Sequence, residues 1–147
     1  MSELRDLYQE VILDHSKRPQ NRRKPDSFTQ KAEGYNPLCG DRVTVYLDVR
    51  AGIIEDIAFE GSGCAISTAS VSMMTQALRG KPVAEVGKLF ERFHALLTGD
   101  DEPSPDLGKL AAFSGVREFP VRVKCATLGW HTLKAALESS PREVTTE

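Results

Sequence analysis

A chain of 147 residues makes one ordinary domain, long enough to bury about two-thirds of its unfolded surface, so no metal is required merely to hold a core together. Its 19 basic and 21 acidic residues leave a net charge of −2, which gives no electrostatic case for nucleic acid or a membrane surface as partner. No apolar run approaches the ~18 residues that span a bilayer, and the N-terminal segment carries Glu3, Arg5 and Asp6, so a cytoplasmic location with reduced thiols is expected.

The first predicted element is an amphipathic helix, with Leu4, Leu7, Tyr8, Val11 and Ile12 at helical spacing after Ser2 as N-cap, ending near His15 before Pro19. From Arg18 to Gly34 the chain is polar, basic and Pro-interrupted, and reads as an extended arm or loop. The cluster Lys17, Arg18, Arg22, Arg23 and Lys24 is either a solvated segment or a docking patch. Asn36-Pro37-Leu38-Cys39-Gly40-Asp41 then forms a turn.

Val43, Val45, Leu47 and Val49 alternate with Thr44, Tyr46, Asp48 and Arg50, the period of a half-buried strand. Ala51-Gly52 turns the chain into a second strand, Ile53 to Phe59, which makes a β-hairpin. After Gly61-Ser62-Gly63-Cys64, the small and apolar residues from Ala65 to Leu78 suit a helix packed closely on that sheet, and Gly80 stops it. Lys81 to Leu97 reads as a further helix with one apolar stripe, Val83, Val86, Leu89, Phe90, Phe93 and Leu97. Gly99 to Pro105 breaks the pattern; Leu107 to Phe113 is predicted as a short helix and Val121 to Leu137 as the last one. A flexible tail is expected from about residue 139, frayed after Pro141. The fold expected is therefore α+β: a small antiparallel sheet built on a hairpin and packed against several helices, in a single domain over 1–147.

Three cysteines, Cys39, Cys64 and Cys125, carry the chemistry. Their odd number and the lack of a C-x-x-C pair fit neither a closed disulfide framework nor a zinc ribbon. With Asp41 they supply three thiolates and a carboxylate, a four-ligand set for one tetrahedral zinc. A hairpin places the start of its first strand beside the finish of its second, so Cys39, Asp41 and Cys64 should be neighbours, with Cys125 arriving from the other end of the chain. Cys64 directly precedes a helix, where unpaired N–H groups favour a thiolate; alone it reads equally as a small buried hydrophobe. Asp41 alone reads as a turn or cap residue, and Cys125 as a core cysteine, although Arg122 and Lys124 nearby would lower its pKa. His15, His94 and His131 stand at no recognised ligand spacing and are left as ordinary histidines.

Tyr35-Asn36-Pro37-Leu38-Cys39-Gly40-Asp41, Gly61-Ser62-Gly63-Cys64-Ala65-Ile66-Ser67 and Arg122-Val123-Lys124-Cys125-Ala126-Thr127-Leu128 resemble the three cysteine motifs of the SufU/IscU family, the NifU-like N-terminal family of iron–sulfur cluster assembly proteins. The resemblance runs roughly from residue 3 to 137. Lys124 stands where IscU-type scaffolds carry a histidine, and Leu97 to Val116 resembles the insertion characteristic of SufU-type proteins, so the SufU branch is indicated.

That resemblance implies a zinc-dependent sulfurtransferase in which Cys39, Asp41, Cys64 and Cys125 bind Zn2+ and Cys39 accepts sulfur. It implies as partner a SufS-type cysteine desulfurase, which carries pyridoxal phosphate and whose histidine takes the place Cys39 vacates on the metal, with scaffold proteins of the SUF system downstream. The rival readings are a scaffold for a [2Fe–2S] cluster, against which Lys124 argues, and a zinc-stabilised adaptor that moves no sulfur. For docking, the metal-site end is favoured, with the basic arm and the residues near Arg122 as candidates.

Overall fold

The computed structural model describes residues 2–99, 105–139 and 144–145. The side chains of Ser2, the expected cap, and of Leu4, the break over 100–104 and most of the tail fall outside what is described.

Four strands form one sheet in the order β3-β2-β1-β4: β1 Gln30–Asn36, β2 Asp41–Arg50, β3 Ile53–Ser62 and β4 Val144–Thr145. The hairpin is present as expected: β2 and β3 pair antiparallel, and Ala51 and Gly52 between them both take positive φ, 52° and 77°, the backbone of a tight two-residue turn. Alternation along β2 buries Val43, Val45 and Leu47 on the core face, and Ile54, Ile57 and Phe59 of β3 join them.

The arm from Arg18 to Gly34 proves to be only partly a loop. Its end is β1, which pairs antiparallel with β2 from Gln30↔Leu47 to Asn36↔Asp41. The alternation was hidden because the inward positions are Ala32, Gly34 and Asn36, small or polar residues that carry little hydrophobic signal. A Cβ at Gly34 would collide with Thr132 Oγ1, so glycine is what lets the last helix lie directly on this strand. The basic stretch before β1 covers the free edge of β3: Arg23 N–H donates to Phe59 O at 2.9 Å and Phe59 N–H donates to Asn21 O at 3.0 Å. Arg22 donates to Gly61 O at 2.7 Å, and Arg23 pairs with Asp56 at 2.7 Å. Burial would raise the Asp56 carboxyl, but the hydrogen bond and charge of Arg23, with Arg79, outweigh it and hold the pKa below its ordinary value.

The tail also differs from expectation, since Val144 and Thr145 add a short parallel strand beside Gly34 and Tyr35. The sheet is thus antiparallel over three strands and parallel at one edge.

Helices α1 Ser2–Lys17, α2 Ala65–Leu78, α3 Val86–Thr98 and α4 Pro120–Leu137 complete the fold. α2 and α4 bury most of their length between the sheet and the outer helices, including Val71, Met74, Leu78, Leu128, Trp130 and Leu133. α1 packs less tightly than its stripe implied, because Leu7 stays exposed while Tyr8, Val11 and Ile12 are half-buried. The helix predicted from Lys81 begins as a 3-10 turn, Val83–Glu85, after Pro82, and becomes α-helical at Val86. Phe93 of α3 stacks on Trp130 of α4 with ring centroids 5.0 Å apart. Pro105–Glu118 is 3-10 helical, broken at Gly108, where φ is 53°, and it buries Leu107, Leu110, Phe113 and Val116. Among the described residues no helix is long and apolar enough to cross a membrane.

His15 is buried rather than exposed, and ties α1 to α2: its Nδ1 lies 2.7 Å from Ser72 Oγ, which also accepts the Gln20 N–H at 2.7 Å. Burial, with the positive charge of Lys109, lowers the pKa of His15 despite the opposing influence of Asp14.

Candidate metal centre

Three separate segments meet at one end of the sheet. The turn between β1 and β2 brings Cys39 and Asp41, the junction of β3 with α2 brings Cys64, and the first turns of α4 bring Cys125. The first two are neighbours because Arg42 pairs with Ser62 across the β2–β3 ladder. Cys125 arrives because α4 lies against β1 and β2.

Cys39, Asp41 and Cys125 offer ligand atoms that all lie within 4.8 Å of one another. The Sγ atoms of Cys39 and Cys125 are 3.0 Å apart. Cys64 stands beside this triad rather than within it, its Sγ lying 3.9 Å from Asp41 Oδ2. All four residues singled out from the sequence thus come to one place, three of them more tightly than the fourth.

Asp41 organises the group. Its side chain is fully buried; Oδ1 accepts the Cys64 N–H at 2.8 Å, while Oδ2 faces the sulfurs and the Asn36 amide. Gly63 makes that approach possible, since a Cβ there would lie 2.7 Å from Asp41 Oδ1. A carboxylate withdrawn from water is costly unless a cation or strong donors compensate it. Among the described residues the partners recorded for Asp41 are amides and thiols, none carrying a full positive charge. The donor set of three thiols and one buried carboxylate therefore fits a soft or borderline divalent cation such as zinc.

Cys64 caps α2: its Sγ accepts the Ser67 N–H at 3.4 Å, as its position before the helix suggested. The expectation for Cys125 needs correction. Burial, followed by its hydrogen bond with Cys39 and the charges of Cys64 and Asp41, pushes its thiol pKa well up rather than down, because α4 turns this side chain into the core. Positive charge also stands beside Cys39, with Arg122 Nη1 3.9 Å from Cys39 Sγ. Interaction with Cys125, then with Cys64 and Cys39, holds that guanidinium charged.

Two residues outside the four-ligand set also stand at the site, Arg122 beside a different cysteine from the one expected. Arg122 faces Cys39 across 83 positions of sequence, a pairing that spacing alone does not reveal. Asn36 is fully buried, and its amide reaches both Asp41 Oδ2 and Cys125 Sγ at 3.4 Å. Its signal was available in the Asn-Pro turn, where an Asn side chain commonly bonds the backbone two residues on, as Asn36 Oδ1 does with the Leu38 N–H at 3.2 Å.

Comparison with known proteins places the chain in a family. The NifU-like N-terminal domain model matches residues 7–126. The chain is 42% identical over 141 residues to the iron–sulfur cluster assembly scaffold protein IscU of Streptococcus pyogenes, covering 95% of this chain and 88% of that protein. It is 43% identical over 130 residues to the zinc-dependent sulfurtransferase SufU of Bacillus subtilis, covering 87% of each. Among solved structures, a putative iron–sulfur cluster assembly scaffold protein for the SUF system from Fervidobacterium islandicum superposes with a TM-score of 0.83 at 37% identity, over 87% of this chain and 94% of that one. With three cysteine segments converging on a buried aspartate in that fold, the chain belongs to the NifU-like N-terminal, SufU/IscU family of iron–sulfur cluster assembly proteins.

Proposed function

We propose that this protein is a zinc-dependent sulfurtransferase, taking sulfur from the persulfide of a SufS-type cysteine desulfurase and passing it on for iron–sulfur cluster assembly. The observation that carries the reading is the asymmetry of the site. Asp41 and Cys125 are fully buried and multiply bonded, whereas Cys39 sits half-exposed on a turn, with an exposed arginine against its sulfur.

Cys39, Asp41, Cys64 and Cys125 would hold the zinc, with Asp41 offering Oδ2 while Oδ1 stays on the Cys64 N–H. When bound, zinc keeps thiols deprotonated at neutral pH and moderates their nucleophilicity. The chain's own contribution is to make Cys39 the thiolate that can leave and react. Cys39 attacks the outer sulfur of the desulfurase persulfide; a new S–S bond forms to Cys39, the old one breaks, and its electron pair departs on the desulfurase cysteine as thiolate. Arg122 lies close enough to place positive charge beside Cys39 through the transfer.

A partner delivering a persulfide to Cys39 has a surface to meet. An open groove of about 680 Å³, lined in part by Tyr8, Ile12, Ile66, Val116, Phe119 and Arg122, adjoins the site, and Leu38, Phe119 and Val121 around it are exposed large hydrophobics. The basic stretch from Lys17 to Lys24 is a weaker candidate, because Arg18, Arg22 and Arg23 are engaged with Asp14, Gly61 O and Asp56.

The relative named a zinc-dependent sulfurtransferase supports this reading, and those named scaffolds, at similar identity, support a second one in which the same thiols hold a nascent cluster. The deciding experiment is the metal content of protein purified without added iron, followed by mass spectrometry of each cysteine after incubation with a desulfurase and free cysteine. One zinc and an added sulfur on Cys39 uphold the transfer reading. Iron with visible colour and no persulfide replaces it with the scaffold, and zinc with neither leaves an adaptor held by its metal.

A further inference from the structure

We infer that Asn36 is the positioning residue of the metal centre: its amide fixes Asp41 and Cys125 as the immobile half of the site, so that Cys39 is the ligand free to exchange. The inference rests on the metal-centre reading above.

Asn36 is the last residue of β1, opposite Asp41, the first residue of β2, in the antiparallel ladder. Its side chain is fully buried, where an amide must find partners for both of its ends. Oδ1 accepts the Leu38 N–H at 3.2 Å and closes the turn that carries Cys39. Nδ2, with two protons, lies 3.4 Å from Asp41 Oδ2 and 3.4 Å from Cys125 Sγ. That distance is long for an oxygen acceptor and ordinary for the larger sulfur, so the bond to Cys125 is the better formed of the two.

One amide thus joins a residue of its own turn to a residue 89 positions away. Cys39 receives no such bond from Asn36; among the described residues its sulfur meets Cys125 at 3.0 Å and the exposed Arg122 at 3.9 Å. The rigid partners are therefore Asp41 and Cys125; Cys64 is held by the Ser67 N–H at 3.4 Å, and Cys39 is the ligand whose sulfur takes no hydrogen bond from an amide among the described residues.

The test separates the turn from the bridge. Asn36→Ser keeps a short side-chain oxygen for the Leu38 N–H but has no amide to reach Asp41 and Cys125, whereas Asn36→Ala loses both. For the full chain, zinc affinity is read by competition with a chromophoric chelator, thiolate ligation by the visible spectrum of cobalt-loaded protein, and fold by the melting midpoint without metal. The expected result is zinc binding weakened about 10- to 100-fold in Asn36→Ser, with an altered cobalt spectrum, in a variant that a cooperative metal-free melt shows to be folded. Unchanged affinity and spectrum in that variant overturn the inference and leave the metal centre standing; failure of the unaltered protein to take up zinc or cobalt instead removes the metal-centre reading. Should Asn36→Ser not fold, the unaltered protein loaded with NMR-active cadmium decides. A coupling between the Asn36 side-chain amide protons and the metal supports the bridge, and amide protons that exchange freely with water refute it.

Discussion

Asp41 Oδ1 accepts the backbone N–H of Cys64 at 2.8 Å, which ties the turn before β2 to the junction after β3 and joins two of the three cysteine segments without any metal. Asp41 therefore acts twice, as an acceptor that shapes the site and as a carboxylate whose second oxygen faces the sulfurs.

Replacing Asp41 by Ala should remove both roles. The half-buried Cys64 N–H loses its acceptor, a loss of about 0.5–1.5 kcal/mol, and zinc binding weakens. Thermal melts with and without zinc, together with metal analysis, check this. Retention of full zinc affinity in Asp41→Ala counts against a ligand role.

Gly63→Ala probes the same relationship from the other side. The added Cβ would meet Asp41 Oδ1 at 2.7 Å, so the carboxylate has to shift and its bond to the Cys64 N–H has to lengthen. Overpacking of this kind costs about 1–3 kcal/mol. Zinc affinity should fall while secondary structure by circular dichroism is kept; an unchanged affinity means that Asp41 is less constrained than its contacts imply.

Cys39→Ala should abolish sulfur acceptance and change the fold little, because Cys39 is half-exposed on a turn and packs no core. Mass spectrometry after incubation with desulfurase and cysteine reads the result directly. Transfer at the unaltered rate in this variant would remove Cys39 as acceptor.

Acid should destabilise the protein through His15, which is buried, and His131, which is half-buried. The pKa of His15 in the folded state is below its ordinary 6.5, chiefly through burial and then Lys109, and that of His131 is lowered by burial, His94 and Lys134. The unfolded chain therefore binds more protons as pH falls, so this part of the stability is complete above about 6.5 and is lost as pH drops from there toward the folded-state values. The melting midpoint should decline between neutral pH and about 5.5, and His15→Gln should flatten part of that decline. A slope identical to that of the unaltered protein shows that His15 is not the group responsible.

How much of this could be read from the chain depends on which interactions are local. The β2–β3 hairpin was legible because strict alternation from Val43 to Arg50 and the Ala51-Gly52 turn are short-range signals, and the helices from Ala65 and Val86 carried their own apolar spacing. β1 was not legible. Its inward residues are chosen to admit α4 and to serve the site, Gly34 against Thr132 and Asn36 against Cys125, so hydrophobic periodicity is absent where tertiary contact is closest. β4 was missed for a related reason: two residues carry no periodicity, and their pairing exists only because β1 offers an edge.

By itself the sequence determined the inventory of the site, three thiols and a carboxylate in three motifs, and the adjacency of the first two segments, because a hairpin returns the chain to its starting end. Only the tertiary structure decided the roles within it. Packing of α4 against the sheet puts Cys125 in the core with a raised pKa, leaves Cys39 at the surface beside Arg122, and closes the site with the buried Asn36 amide. Burial and charge proximity depend on what the whole fold brings near an atom, and residues 86 positions apart along the chain have no local pattern through which to announce that they will meet.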